Sequence, residues 1–523
     1  MSKPSGRFTA LRAVAFVSFS TYFTYGLSLV VGAIAARSLG PQEYGRYAYV
    51  VWLTGLIVLI GNNGITTSGI RFVAESLGRG QNQEASAVHG WLAKRQTASL
   101  ILALAFLTVW ILVTPPKDWR ENLVPWLILV AICVAAKTYY LFYISIAKGY
   151  SNFSIDPKTT LVTSVIGGIG TLFLSYFSFP VIYFVSWFSA TCLLTWWLGR
   201  QQLQRNQIIP RYAPLNEDLN KEIRHHLLWT IVLTTSGLLS NKSVETYLLS
   251  IHYGSAEVGF FTIAIGLTRG SIELLTVGIS AILMPSLAKA HGTGDPQASH
   301  RIFSDSLRYL AFLGLVLAGG AFWAKPLVEA VYGTQFLPAG RALEVMLLVG
   351  GLTLVNATTG ALLTTSGQQQ RRAIIALFAA AIPLLQAPFL IPRYGLMGAT
   401  ISVAITSTAY CMTLSIQATR ITPYSLPWQQ LLRLTLAATV SAATPLLIIN
   451  NHPTFIAHLI GGPLYTALLL TFSILFRAWS AEDINLVIET CQKSPRLLGK
   501  LIPLFTLWQK NYSYNPANNS TPP

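Results

Sequence analysis

Charge is what this sequence has least of: only 11% of its 523 residues are charged, against 52% hydrophobic, and the mean hydropathy is +0.51. A water-soluble domain carries about 25% charged residues because its surface faces water. This chain lacks the charge to cover such a surface. Cysteine is also scarce. Cys133, Cys192, Cys411 and Cys491 are dispersed, with neither metal-ligand spacing nor the pattern of a disulfide framework. Walker A, Gly-x-Ser-x-Gly and His-Glu-x-x-His sequences are absent, which removes a P-loop route to ATP hydrolysis and two common hydrolase signatures. No catalytic residue and no metal site is expected, and the chain does not read as an enzyme.

What it has instead is long apolar runs. Runs of about 20 residues cross the hydrocarbon core as helices, because backbone in lipid must bond to itself. Barrel strands would be about 10 residues and alternating. Fourteen spans are expected, near 13–36, 46–69, 96–114, 122–147, 159–178, 180–199, 227–250, 256–283, 307–324, 342–365, 373–391, 396–418, 429–449 and 455–476. The expected class is an all-α integral membrane protein. The first run has a basic flank (Lys3, Arg7, Arg12) and an Ala33-Ile34-Ala35 stretch that imitates a cleavage site. It is longer than a signal core of about 7–15 residues, so it reads as an uncleaved first span.

The net charge of +17 could suggest nucleic acid, but its placement argues against that partner. With the amino terminus inside, and Arg46, Arg308 and Arg433 at span ends counted with their flanking loops, 26 Lys and Arg fall on the inner side and 7 on the outer side. That asymmetry puts both termini in the cytoplasm of a multi-pass protein in the cell (inner) membrane. Some inner basic residues are also placed to touch anionic membrane lipid.

A short turn is written twice. Residues 37–50 read RSLGPQEYGRYAYV and residues 251–264 read IHYGSAEVGFFTIA, so that Gly40, Glu43 and Gly45 align with Gly254, Glu257 and Gly259 at an offset of 214. The register continues without a gap: Ala74, Gly78, Gly80 and Gln83 meet Ala288, Gly292, Gly294 and Gln297. A looser echo links Ala147-Lys148-Gly149 to Ser366-Gly367. Glycine-rich tight turns recur for local reasons too, yet an unbroken register with matched spans favours duplication. The expected organisation is a cytoplasmic N-terminus (1–12), a six-helix lobe (13–199), a cytoplasmic inter-lobe loop (200–226), a second lobe (227–418), two further spans (419–476) and a cytoplasmic tail (477–523). Parallel six-helix repeats are related by a pseudo-twofold axis along the membrane normal, with the substrate path between them.

The stretch ARSLGPQEYGRYAYV, followed by GNNGITTSGIRFVAE and GRGQNQEA, resembles the opening of the polysaccharide-biosynthesis or oligosaccharide flippase family. YGSAEVGFF, LMPSLAKAHGTGD and VYGTQFLPAGRAL resemble it as well, so the likeness covers most of residues 8–476. The family belongs to the multidrug, oligosaccharidyl-lipid and polysaccharide exporter superfamily. The resemblance implies twelve to fourteen helices, a central cavity between two lobes, and movement of an undecaprenyl-diphosphate-linked sugar from the cytoplasmic to the outer leaflet. It also implies partners in the same pathway, glycosyltransferases or a polymerase.

Charges inside spans are costly and need a reason. Those near mid-depth, counting from the span ends, are Lys137, Lys242, Glu245, Arg269 and Glu273. Lys137, Lys242 and Arg269 would suit the walls of a cavity for an anionic diphosphate. The alternative is self-neutralising pairs that glue helices, since Lys242 and Glu245 are i, i+3 and Arg269 and Glu273 are i, i+4. A combined reading has Glu245 and Glu273 hold the cations until cargo displaces them. The same acids are candidates for coupling to H+ or Na+, and no other cofactor is expected.

Possible cavity polar groups are Thr24 and Tyr25, in a stripe with Ser18, Ser20, Thr21 and Tyr22, together with Asn241 and Asn63. Ser and Thr also pack helices in membranes, and Asn62-Asn63-Gly64 would equally well loosen span two. Arg71 and Glu75 read as a surface or gate pair. Pro285 is expected to end or kink span eight, and Pro383 and Pro388 to bend span eleven. His225-His226 reads as a solvated helix start, Trp196-Trp197 as interfacial belt, and Ala481 to Leu498 as an amphipathic helix before a polar tail.

Two other functions stay open. A multidrug or cation antiporter of the same superfamily would favour an acidic cavity, whereas the span charges lean cationic. A sugar polymerase or ligase using lipid-linked donors would need a sizeable outer loop with acid–base residues, and the outer loops here are short.

Overall fold

The computed structural model describes residues 6–119, 123–238, 242–292, 296–366, 368–421, 426–452, 454–480 and 483. Every regular element among them is helical, which is how a backbone surrounded by lipid keeps its polar groups bonded. The first half contains α1 (Gly6–Asn62), α2 (Ile65–Gly78), α3 (Asn82–Val113), α4 (Leu123–Gly149), α5 (Ile155–Tyr176) and α6 (Val181–Arg205). The second contains α7 (Glu217–Leu238), α8 (Val244–His252), α9 (Ser255–Gly292), α10 (Pro296–Gly319), α11 (Ala324–Tyr332), α12 (Leu337–Thr353), α13 (Asn356–Thr365) and α14 (Gln369–Ile421). Then come α15 (Trp428–Asn451) and α16 (Phe455–Leu475).

Eleven helical stretches are long and apolar enough to cross a membrane. Two of them reverse at a glycine and therefore cross twice: α1 turns at Gly40 (φ 71) and α14 at Gly395 (φ 54). The chain is thus an all-α multi-pass membrane protein. Pro41 follows the Gly40 turn, where its fixed φ starts the returning limb and its missing N–H leaves no bond unmade.

The helices outrun the apolar spans. α3 begins at Asn82, well before the apolar run, and carries Glu84, Lys94 and Arg95 in its polar first part. α6 runs to Arg205 and α7 starts at Glu217, so the linker is 206–216 rather than the whole of 200–226. Neither proline site ends its helix. α9 continues through position 285 to Gly292. In α14 the helix runs through Pro383 and Pro388, and its only non-helical residue is Gly395. Neighbouring side chains in a membrane satisfy the carbonyl that a proline frees, so the sequence signal for a stop is weak.

By packing, the chain forms two compact units that cut across the expected lobes. One comprises residues to 274, 324–349 and 367–414; the other comprises 275–323, 350–366 and 415 onward. In the first, Ile65, Phe72, Leu92, Phe142, Leu203, the linker's Ile208 and Ile223 of α7 share one buried cluster. In the second, α15 and α16 pack on α10: Tyr465 lies on Gly319, and the backbones at Gly314 and Gly351 approach so closely that a Cβ on either would stand 2.2 Å from the other's carbonyl oxygen. Small residues at such crossings are how helices pack in lipid. Arg308, buried, pairs with Asp483 at 2.7 Å and with Asp305 at 2.9 Å, closing the second unit. The remaining residues of the expected amphipathic tail helix lie outside the described residues.

Candidate functional site

The two copies of the repeated turn face each other within the first unit. Gly40 (φ 71) and Gly254 (φ 94) both take left-handed backbone, the conformation only glycine adopts cheaply. A Cβ on Gly45 would stand 1.7 Å from the carbonyl oxygen of Ser255, and one on Gly259 would stand 3.1 Å from that of Pro41. At the offset of 214, Ser255 and Gly259 are the counterparts of Pro41 and Gly45. Position 45 therefore meets the partner of 41, and the partner of 45 meets 41. Such reciprocity is the mark of a twofold relation, here a local pseudo-twofold between the turns.

Polar and aromatic groups seal this Gly40 end. Asp118 Oδ2 accepts from the backbone N–H of Ser255 at 3.0 Å and from its hydroxyl, holding the start of α9. Arg46 pairs with Glu43 at 2.9 Å and reaches Asp118 at 4.0 Å. Lys117 donates to the His252 carbonyl at 2.7 Å, and Arg37 to the carbonyls of Val331, at 2.9 Å, and Ala330. Phe336 is buried edge-on between Tyr44 and Phe260.

Two cavities share Tyr44, Tyr47 and Val51. One, of about 380 Å³, lies among α1, α4, α5 and α6 and is lined by Thr24, Lys137, Trp187 and several threonines. The other, of about 260 Å³, lies between the returning limb of α1 and α8–α9 and is lined by Lys242, Thr246 and Arg269. The three expected cations thus line two adjoining cavities rather than one. Lys137 Nζ stands 4.6 Å from the centre of the Phe188 ring.

Of the two expected acid–base pairs, one forms. Arg269 Nε donates to Glu273 Oε1 at 2.9 Å, with side chains 59% and 48% exposed. Lys242 and Glu245 form no hydrogen bond, and no ion pair within 4.0 Å; Lys242 has φ 64 just before α8. Glu245 is 1% exposed; its Oε1 accepts from Ser402 at 2.8 Å, and its Oε2 has no partner. Gln386 in turn donates to the Ser402 carbonyl at 2.8 Å. So the combined reading, with both acids holding cations, is corrected for Glu245.

The polar candidates separate as well. Thr24 lines the larger cavity with its hydroxyl oxygen unpartnered. Tyr25 is a bridge: its hydroxyl donates to the Gly266 carbonyl at 3.0 Å, and a Cβ on Gly270 would overlap that oxygen. Asn63 (φ 40) and Gly64 (φ 81) form the break between α1 and α2, with Gly64 pressed on Thr230. Asn241 lies outside the described residues.

At the opposite, Gly80 end, the expected Arg71–Glu75 pair forms, with a further partner for each residue. Arg71 is 3.8 Å from Glu75 but 3.0 Å from Glu222 of α7, and Glu75 pairs with Arg79 at 2.6 Å. His226 is no solvated start. It packs edge-on against Phe72 and shares a hydrogen bond with Ser68 at 3.1 Å. Burial, then Arg71, push its imidazole below the ordinary value, with Glu222 opposing. Tyr44, Tyr47, Phe336 and the Gln386–Ser402–Glu245 chain escaped sequence reasoning. Tyr44 and Tyr47 had one usable signal, their i, i+3 spacing inside the repeated motif.

A family profile described as polysaccharide biosynthesis protein matches residues 10–291. The chain belongs to that family. Both copies of the facing turn fall within the matched residues of this polysaccharide biosynthesis protein. Among solved structures, "Lipid II flippase MurJ, inward closed conformation" is similar over 88% of this chain and 98% of its own, with 15% identity and a TM-score of 0.71. An "inward-facing conformation of a multidrug resistance MATE family transporter of the MOP superfamily" is similar over 78% of this chain and 97% of its own, with 16% identity and a TM-score of 0.59. Likeness at these identities is one of fold: the chain has a flippase and exporter fold. The comparison with curated proteins finds no match.

Proposed function

We propose that this protein is a flippase that moves a lipid-diphosphate-linked oligosaccharide, or polysaccharide precursor, from the inner to the outer leaflet by alternating access between two six-helix lobes. The observation that carries the reading is the pair of adjoining cavities behind Tyr44 and Tyr47, with Lys137, Lys242 and Arg269 on their walls. A diphosphate passing mid-membrane needs such donors. The Arg269–Glu273 pair is exposed to its surroundings, so it holds the guanidinium weakly and yields it to a stronger anion. The excess of basic residues on loops at the Gly80 end supports a cytoplasmic placement of that end, in the cell (inner) membrane. Glycosyltransferases or a polymerase of the same pathway would supply and consume the cargo.

Glu245 is the residue that would hold a coupling proton or sodium ion, and its buried, unpartnered Oε2 fits one. Glu273, exposed and engaged by Arg269, is the weaker choice. The antiporter reading predicts an acid facing the cavity, and Glu245 instead bonds to Ser402 on α14.

The test is outward movement of a lipid-linked oligosaccharide by the purified protein in vesicles. Arg269→Gln with Lys242→Gln is expected to lower the rate at least about tenfold, since each lost charged hydrogen bond is worth about 1.5–3 kcal/mol. A wild-type rate in that variant sinks the assignment, and unchanged flipping alongside uptake of a cationic drug would favour the antiporter.

A further inference from the structure

A third cavity, of about 560 Å³, lies at the Gly80 end between α3, α4 and α6, entirely within the first unit. The linker closes one side of it through Ile208, Pro210 and Tyr212. This linker is no free loop. The Arg211 N–H donates to the Ser86 carbonyl at 2.9 Å and its guanidinium to Gln83 at 2.8 Å. The Arg211 carbonyl lies so near α3 that a Cβ on Gly90 would stand 2.3 Å from it.

Three nitrogen-bearing groups meet here without an anion. Lys94 Nζ lies 5.5 Å from the Tyr212 ring centre, and the Arg200 guanidinium 5.9 Å from that of Trp196. Among the described residues neither has a carboxylate oxygen within 4.0 Å, and no Asp or Glu lines the cavity. His89 also lines it, only 2% exposed, and its Nδ1 has no hydrogen-bond partner. A buried polar atom left unpaired is costly and marks a place where an oxygen belongs. Tyr139 and Tyr143 are stacked on the wall, with the Tyr139 hydroxyl bonded to Thr97 at 2.9 Å.

The height of the cavity narrows the ligand. Lys94 precedes the apolar run of α3 and Arg200 ends that of α6, so both stand at the membrane–water boundary, where Trp196 also belongs. Basic pockets between helices at that level take lipid headgroups.

We propose that this cavity binds the phosphoryl headgroup of a lipid in the leaflet at the Gly80 end. Lys94 and Arg200 take phosphate oxygens, and His89 stands behind the innermost wall. The occupant is held against the linker that leads into α7. An anionic phospholipid and a polyprenyl phosphate share this chemistry, and the test separates them.

Native mass spectrometry of the full-length protein, released from nanodiscs of phosphatidylcholine with either phosphatidylglycerol or undecaprenyl phosphate, reads the retained lipid. Lys94→Gln/Arg200→Gln is expected to weaken retention about tenfold or more, as two interfacial cations imply. Arg205→Gln/Arg224→Gln, at the same end but away from the cavity, is expected to leave it unchanged. Thermal unfolding in phosphatidylcholine alone checks that both variants fold. Retention of phosphatidylglycerol identifies a membrane-lipid site, and retention of undecaprenyl phosphate alone identifies a cargo-lipid site; either supports a phosphoryl site. Equal retention by the wild type and the first variant, or equal loss in the two variants, overturns it. Neither readout depends on flipping, so the proposal fails or stands separately from the proposed function.

Discussion

The two ends of the first unit are closed by different physics. At the Gly40 end, backbone lies on backbone: a Cβ on Gly45 would fall 1.7 Å from the Ser255 carbonyl oxygen, and Phe336 is buried between aromatic rings from both halves. At the Gly80 end, α2 meets α7 through side chains: Arg71 with Glu222, both about half exposed, and Ser68 and Phe72 with His226. Close-packed backbone tolerates no added atom. An exposed ion pair is worth about 0–1 kcal/mol. The difference teaches that the Gly40 end is the firmer closure and the Gly80 end the more readily opened one; under the proposed function the Gly40 end would face outward.

The most severe way to break this asymmetry is Gly45→Ala. The new methyl meets a carbonyl oxygen rather than a flexible side chain, so the turns must part, at about 1–3 kcal/mol. Transport is expected to be lost, with faster thiol labelling of a Phe336→Cys reporter from the Gly40 side. Gly259→Ala, whose nearest atom is 3.1 Å away, is expected to be milder. Equal effects from the two would show that the facing turns are not the closure.

Next in size is the link in mid-membrane, Tyr25 on Gly266 and Gly270. Gly270→Ala evicts the tyrosine hydroxyl and is expected to destabilise more than Tyr25→Phe, which removes one hydrogen bond of about 0.5–1.5 kcal/mol. Thermal unfolding of both variants orders them. The reverse order would mean that Tyr25 acts on cargo rather than as a bridge.

How much of this was legible follows from the range of each interaction. The crossings were legible because an apolar run is a local property, and the facing turns because duplication leaves a register. The Lys242–Glu245 pair was misread because i, i+3 neighbours meet only on an unbroken helix, and Lys242 sits at φ 64 in a break that neither Gly nor Pro announces. Glu245 found Ser402 instead, 157 residues away, a contact no window of sequence contains. Tyr44 and Tyr47 passed unnoticed beside Glu43 and Arg46, and the second copy of the turn has Val258 and Phe261 at their places.

At the Gly80 end the effects should be smaller. Arg71→Gln is expected to lower stability by less than about 1 kcal/mol, while raising labelling of a cysteine placed at Ser68. A drop as large as that of Gly45→Ala would erase the asymmetry.

The gentlest perturbation is acid. Burial and Arg71 hold the His226 imidazole below its ordinary value in the closed arrangement, against the pull of Glu222. Opening exposes the ring and restores that value, so the open form binds the proton more readily. The contribution of neutral His226 to closure is therefore complete above the ordinary imidazole range, about 6.5, and is lost as pH falls through it towards the depressed value. Labelling of the Ser68→Cys reporter is too close to the imidazole to serve here, because Ser68 is its partner; an Arg79→Cys reporter on the same end avoids the contact. Its labelling, corrected for thiolate fraction, is expected to rise modestly between roughly pH 7.5 and pH 5.5, and the rise should vanish in His226→Gln. A reporter at the Gly40 end should show no such dependence. A rise of equal size at both ends would mean that protonation loosens the whole unit and that His226 is not the group responsible.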